Sequence, residues 1–338
     1  MTQSIAKKWR VLGVVGALCV PALVTAALSV PYSFKAGDPI KASQVNANFE
    51  ALRAQLDALS SGTPPRQVVG TLTLPGVISA GPIRGFSVAV DVPFVAGGSG
   101  QGTGKPALSE VQVVRDAGAD TPPLDLLLNQ QKHVATADIV LGNLTVHLSD
   151  VLVGRVSVSG AQEGYAQEAI SLFFSSIQWT WQVAKGTPTV VTFDVAKAVA
   201  SGGGTPPASL AYFPPGVAAD TSYVPITGYS HDMGCATPPC KVAHGALTVQ
   251  RLVSAETLDI LGTALTSKHT PKIDLTWFTS ATAASHSISL TDFLISHVAI
   301  TANDDGTLSE SDSFNYSTIS WTAGKVQTGW DAVKGAAL

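Results

Sequence analysis

The stretch LSDVLVGRVSVSGAQEGYAQEAISLFFSSIQWT (148–180) returns 142 residues later, without a gap, as LTDFLISHVAITANDDGTLSESDSFNYSTISWT (290–322). Eleven of the 33 pairs are identical: Leu148/Leu290, Asp150/Asp292, Leu152/Leu294, Val156/Val298, Gly164/Gly306, Glu168/Glu310, Ser171/Ser313, Ser175/Ser317, Ile177/Ile319, Trp179/Trp321 and Thr180/Thr322. Identity at a third of ungapped positions marks an internal repeat, whose period sets the architecture. Further out, LPGVISAGPIRGFSV from Leu74 corresponds to PPGVAADTSYVPITGYSH from Pro214, and TFDVAKA from Thr192 to GWDAVKG from Gly329. Two units follow, 68–200 and 208–338, joined by the Gly/Pro linker SGGGTPP at 201–207.

Each unit reads as mainly β. In EAISLFFSSIQWTWQ, Phe173, Ile177, Trp179 and Trp181 share one parity while Ile170, Leu172 and Phe174 share the other. A strand apolar on both faces crosses the core of a barrel or sandwich. Gly164 and the NDDG run Asn303–Gly306 mark hairpin connections. One short helix per unit is expected, in TPPLDLLLNQ from Thr121 and in SAETLDILGTAL from Ser254, with Ser254 as N-cap and Thr257 at N3. The architecture expected is thus two tandem β-barrels or sandwiches, each with one α-helix.

The chain before the repeats has two parts. Lys7, Lys8 and Arg10 precede an apolar run from Val11 to Val24, and Ala26 and Ala27 offer a small-residue cleavage site, so 1–27 reads as a signal peptide. For a membrane span the run is short and broken by Gly and Pro, an uncleaved anchor being the alternative reading, and no integral span is expected after its removal. Residues 28–62 hold a turn at Gly37, Asp38 and Pro39, then a helix whose apolar residues Val45, Phe49, Leu52, Leu56 and Leu59 are spaced four, three, four, three. This spacing is a coiled-coil seam. Two heptads are marginal alone in water, so the stripe either packs on its own domain or self-associates. The string SFKAGDPIKASQVNANFEAL also resembles a segment found ahead of trimeric assemblies in exported bacterial and phage-tail proteins.

Composition narrows the function. The chain has 338 residues, of which 13% are charged, with net charge −4; loss of Lys7, Lys8 and Arg10 leaves 17 basic against 24 acidic residues. Such a balance excludes a nucleic-acid binder, which needs a basic face. Cys235 and Cys240, an even pair in an exported chain, read first as a disulfide. With His231 and His244 beside them, zinc is the alternative reading and free thiols a third. The Gly-rich loop from Ala96 is not a phosphate cradle, because Pro106 follows Lys105. There is no G-x-S-x-G, and His133, His147, His269, His286 and His297 are scattered along the chain with no repeated Ser or Asp near them in sequence. Asp150 and Asp292 are read as turn or cap residues at strand starts, and Trp179 and Trp321 as core. No catalytic, cofactor-binding or metal residue is expected; Asp150, Glu168, Trp179, Asp292, Glu310 and Trp321 are taken as repeated structural positions.

The order of short motifs resembles the Hcp proteins of type VI secretion. The matching runs are Ile83–Ser87, Asp150–Val153, Glu168–Ser171, Ile177–Thr180 and Phe193–Lys197 in the first unit. In the second they are Ile226–Ser230, Asp292–Ile295, Glu310–Ser313, Ile319–Thr322 and Trp330–Lys334. The resemblance implies a six-membered ring whose rings stack into a tube that carries effectors. Hcp tube members are single units without a signal peptide, and this chain departs on both counts. Its two units imply a pseudo-hexameric ring built by a homo-trimer, exported to the periplasm or beyond, that carries or organises secreted proteins. The alternative is a trimeric surface adhesin or carbohydrate- or protein-binding module displaying two β domains.

Overall fold

A computed structural model of the chain describes residues 44, 47–49, 51, 67–95, 102–160, 166–217, 220–234 and 243–338. Cys235 and Cys240 lie outside these residues, as do residues 1–27 and Val45, Leu52, Leu56 and Leu59 of the amino-terminal stripe. Phe49 is helical and 67% exposed. No helix among the described residues is long and apolar enough to cross a membrane.

From 66 onward the chain is mainly β, as its alternating apolar pattern requires. The principal elements of the first half are β1 (Gly70–Leu74), β2 (Ile78–Ile83), β3 (Gly85–Asp91), β4 (Val111–Asp116), α1 (Thr121–Gln130), β5 (Val134–Leu141), β6 (Leu144–Gly160), β7 (Ala166–Phe173), β8 (Ser176–Trp181) and β9 (Thr189–Asp194). The second half has β10 (Ser209–Tyr212), β11 (Gly228–Gly234), β12 (Ala243–Leu252), α2 (Glu256–Leu265), β13 (Thr270–Phe278), β14 (Ala284–Ala302), β15 (Leu308–Ala323) and β16 (Val326–Asp331).

The longest strands carry the topology. β6 pairs with β5 and β8 through its first half, then with β7 through its second. Asp150 sits at this change with a φ of 53°, and Asp292, at the same place in β14, has a φ of 46°. Aspartate is among the few non-glycine residues that tolerate the left-handed region. Both therefore lie in the middle of bent strands and not at strand starts, correcting the sequence reading. The stretch read as one strand around Phe173 is two, with a break after Phe173, whereas β15 runs unbroken through the equivalent residues. The break turns Phe173 outward, 48% exposed.

The two helices fall where the spacing puts them, but Ser254 is not the cap of α2. Ala255 takes that place, and the Thr257 hydroxyl instead accepts the Ser254 backbone N–H at 3.0 Å. Thr121 does the same for the Gly118 N–H, also at 3.0 Å. The two helices differ in what covers them. α1 packs on β6 of its own half and buries only Leu124 and Leu127. α2 packs on β14, on β8, β9 and Val199–Gly202 of the first half, and buries every residue from Thr257 to Leu265 except Asp259.

That packing is close. A Cβ on Gly262 would stand 3.3 Å from the Gly202 carbonyl oxygen and 3.3 Å from Gly203 Cα, and neither backbone can give way. Gly262→Leu is therefore expected to cost about 1–3 kcal/mol, the usual range for overpacking, read as a lower urea midpoint at unchanged slope. An unchanged midpoint would show that α2 does not approach this backbone.

Candidate functional site

The repeated glutamates mark the polar node of each half. Glu168 is fully buried on β7, and the side chain it meets is Arg115 on β4, whose Nε donates to it. Arg115 also reaches Asp120 at 3.3 Å. In the second half Glu310 on β15 accepts from Arg251 Nη2 at 2.7 Å, Asp312 accepts from Arg251 Nε at 3.2 Å, and the Thr257 hydroxyl donates to Glu310. Arg115 and Arg251 were missed from sequence. They lie 136 residues apart, outside the block that aligns at 142. The difference is the longer connection between β13 and β14.

Here two carboxylates share one guanidinium with no side-chain exposure. Burial, and the neighbouring Glu310, push the Asp312 carboxyl well above the usual carboxylate range. Among the described residues its Oδ1 has no partner. Arg251→Met would leave Glu310 without its cation, at a cost of about 3–5 kcal/mol. Asp312→Asn, which keeps the shape of a neutral acid, is expected to leave stability at pH 7 unchanged or higher. Chemical denaturation of both variants checks this; equal losses would mean Asp312 is an anion that the guanidinium needs.

Repeated histidines sit beside the bent strands. His133 Nδ1 is 2.7 Å from Asp150, and His269 Nδ1 is 2.9 Å from Asp292. Sequence reading gave these histidines no repeated partner; each has one, hidden by the same change of offset. Ser317 donates to the other oxygen of Asp292 at 2.6 Å, and its hydrogen bond holds the Asp292 carboxyl below the usual range. The order is Ser–Asp–His, with the carboxylate in the middle. This is not the Ser–His–Asp order in which the imidazole takes the hydroxyl proton. Among the described residues no three His, Cys, Asp or Glu side chains are placed to hold a metal.

The two repeated tryptophans part company. Trp179 is fully buried in the first half. Trp321 is half-buried within a group of rings: His231 at 5.7 Å and His244 at 6.1 Å between centroids, with His244 stacked on Trp330 at 4.9 Å. His231 Nε2 meets the Tyr316 hydroxyl at 2.6 Å. Further along the same half Tyr212 stacks on Trp277 at 4.2 Å and Trp277 on His286 at 5.6 Å. The first half has Val88, Phe193 and Val191 where the second has His231, Trp330 and Thr328.

Burial, with His244 close by, lowers the affinity of His231 for a proton below the usual histidine value of 6.5, and burial does the same for His244. The unfolded chain binds these protons more readily, so the stability this supplies is complete above pH 6.5 and is lost as pH falls through the lower folded-state values. Melting temperature is expected to fall between about pH 7 and pH 5, where histidine titrates, and less so in His244→Phe. A variant that falls as steeply as the parent would place the titrating group elsewhere.

The outstanding feature for assembly is where the halves meet. β3, in the first half by sequence, pairs antiparallel with β14 of the second, from Asp91 opposite His297 to Ser87 opposite Thr301. Asp91 and His297 pair at 2.7 Å. Phe86, Val88 and Val90 are buried at 3%, 4% and 1%, and Val298 and Ile300 at 1% each.

Residues 225–322 match the family described as type VI secretion system effector, Hcp. No curated protein matches the chain. Among solved structures, a type VI secretion system effector from Yersinia pestis is 18% identical over 37% of this chain and 99% of that one, with a TM-score of 0.30. Hcp1 from Salmonella typhimurium is 21% identical over 39% of this chain and 97% of that one, with a TM-score of 0.32. The chain is Hcp-like and mainly β, and the family match over its second half supports a structural, assembling role.

Proposed function

We propose that this chain is an exported assembly protein whose two units build a pseudo-hexameric ring from three copies. The β3–β14 junction carries this reading. By the repeat, β11 corresponds to β3 and Arg155–Ser159 of β6 corresponds to His297–Thr301 of β14. Among the described residues β11 pairs only with β12, and 155–159 pair on one side only, with β7. One internal junction is therefore filled, and both halves of an equivalent junction are open.

Exposure follows the same division. Val158 is 53% exposed where Ile300 is 1%, and Met233 is 59% exposed where Val90 is 1%. Bare strand edges with apolar side chains pair with another chain unless blocked. Transferred to the open edges, the internal register sets Arg155 opposite Gly234 and Val158 opposite His231. Arg155 then shares a face with Asp232 one diagonal away, within reach of a long side chain. A head-to-tail contact closes into a ring or grows a filament; six units turning through equal angles close with three chains. Joining two units in one chain raises the local concentration of ring neighbours.

In this reading the stripe Val45, Phe49, Leu52, Leu56 and Leu59 supplies a threefold helical seam, Cys235 and Cys240 staple the loop between β11 and β12, and the ring carries or organises secreted proteins. Light scattering of the chain from residue 28 is expected to give three times the chain mass, and negative-stain images six-lobed rings. Val158→Lys, at an exposed position, is expected to give a folded single chain. A single-chain mass for the parent protein would overturn the reading.

A further inference from the structure

We propose that helix α1 of one copy plugs the Trp–His face of the second half of another. This rests on the ring reading and adds a second, independent contact to it. Inside the chain, α2 closes the side of the first half at β8, β9 and Val199–Gly202. The contact is specific: a Cβ on Gly262 would lie 3.6 Å from a Val191 methyl, and one on Gly203 would lie 3.1 Å from the Leu258 carbonyl oxygen and 3.3 Å from Gly262 Cα. The strands that α2 packs on carry Trp179, Val191 and Phe193, exposed at no more than 1%.

The repeat assigns the counterparts. The shared Thr121 and Thr257 turns fix the alignment of the helices, so Leu126 answers to Gly262. The strand pairings fix the faces: Ile177 opposite Phe193 and Trp179 opposite Val191 answer to Ile319 opposite Trp330 and Trp321 opposite Thr328. Within one copy these counterparts are not closely packed among the described residues. α1 packs on β6 and leaves Leu126 55% exposed, while Trp321 and Trp330 are half-buried and Thr328 is exposed.

An exposed leucine on one helix and a half-covered tryptophan face on one sheet are the two sides of a contact that the chain already makes once. The occupant that fits is α1 of a second copy, because the same head-to-tail step that brings β11 onto β6 of the neighbour brings α1 of that neighbour over Thr328. The side chains also suit one another. Leu126 brings four carbons where Gly262 has none, and Thr328 with the flat rings of Trp321 and Trp330 leaves the room that Val191, packed against Gly262 and Gly203, does not.

The experiment uses the full chain from residue 28 with Cys235 and Cys240 replaced by Ser, carrying Leu126→Cys and Thr328→Cys. Both positions are exposed, so the substitutions do not disturb the core. Oxidation is expected to link chains into covalent dimers and trimers on denaturing gels, and a Ser159→Cys/Ser230→Cys pair at the strand edge is expected to do likewise. Leu126→Asp alone is expected to raise the concentration for half-assembly about tenfold or more, the effect of losing one buried leucine contact. A three-chain mass with the strand-edge link but no link through position 126 would overturn the plug and leave the ring. A single-chain mass with neither link would overturn both.

Discussion

A β-strand at the edge of a sheet holds a row of backbone donors and acceptors that must find partners or face water, and the fold turns on how this chain spends that row. β3 keeps β4 of the first half on one edge and with its other edge completes the sheet of the second at β14. With it go Phe86, Val88 and Val90, which shield Val298 and Ile300. The halves are thus not beads on the linker 201–207. They share a hydrogen-bonded sheet, and on a second side they share α2, whose buried face belongs as much to the first half as to its own. Two repeats that make such a contact once have the surfaces to make it again.

Within each half the fold is pinned by an arginine crossing from β4 or β12 to a glutamate on β7 or β15. The pairing is costly to desolvate, and its value lies in register: a slip of one residue would turn Glu168 or Glu310 to the opposite face and leave an arginine alone in the core. The second half adds Asp312 where the first has Ile170, and the added acid shares the Arg251 guanidinium with Glu310, its carboxyl pushed up by burial and by that neighbour. Thr257 joins this node from within α2, while its counterpart Thr121 holds only a turn and α1 is tied to its node through Asp120 at its cap.

How much of this could be read from residues alone depended on whether the signal was local. The β class, the helices at Thr121 and Glu256 and the buried state of Trp179 follow from alternation, helical spacing and matched identities within one window. The arginine partners of Glu168 and Glu310 did not, because they lie 53 and 59 residues away along the chain in a block with a different offset. His133 with Asp150 and His269 with Asp292 escaped for the same reason. Phe173 was legible as apolar but not as exposed, since a strand break changes which face a parity points to. The junction of β3 with β14 could not be read at all: nothing in GFSVAVD says which of two equivalent sheets it joins.

The two kinds of seam differ in chemistry in a way the repeat makes measurable. The internal contact is apolar, with α2, whose Leu258, Leu261 and Leu265 are all buried, packing on the strands of the first half that hold Trp179 and Val191. The equivalent outer surfaces replace those leucines by Pro122, Asp125 and Asn129, and answer with Trp330, Trp321, His231 and His244. A contact inside one chain forms with folding and never meets solvent, so it can be fully apolar. One between chains is bare until its partner arrives, and a large aliphatic patch there would capture unrelated chains. Aromatic and imidazole rings bury area at a low entropic cost while keeping a polar edge wet. In the ring proposed above, covalent fusion of two units lets one seam be built like a core and the other like an interface, a division of labour that a ring of six identical subunits cannot have.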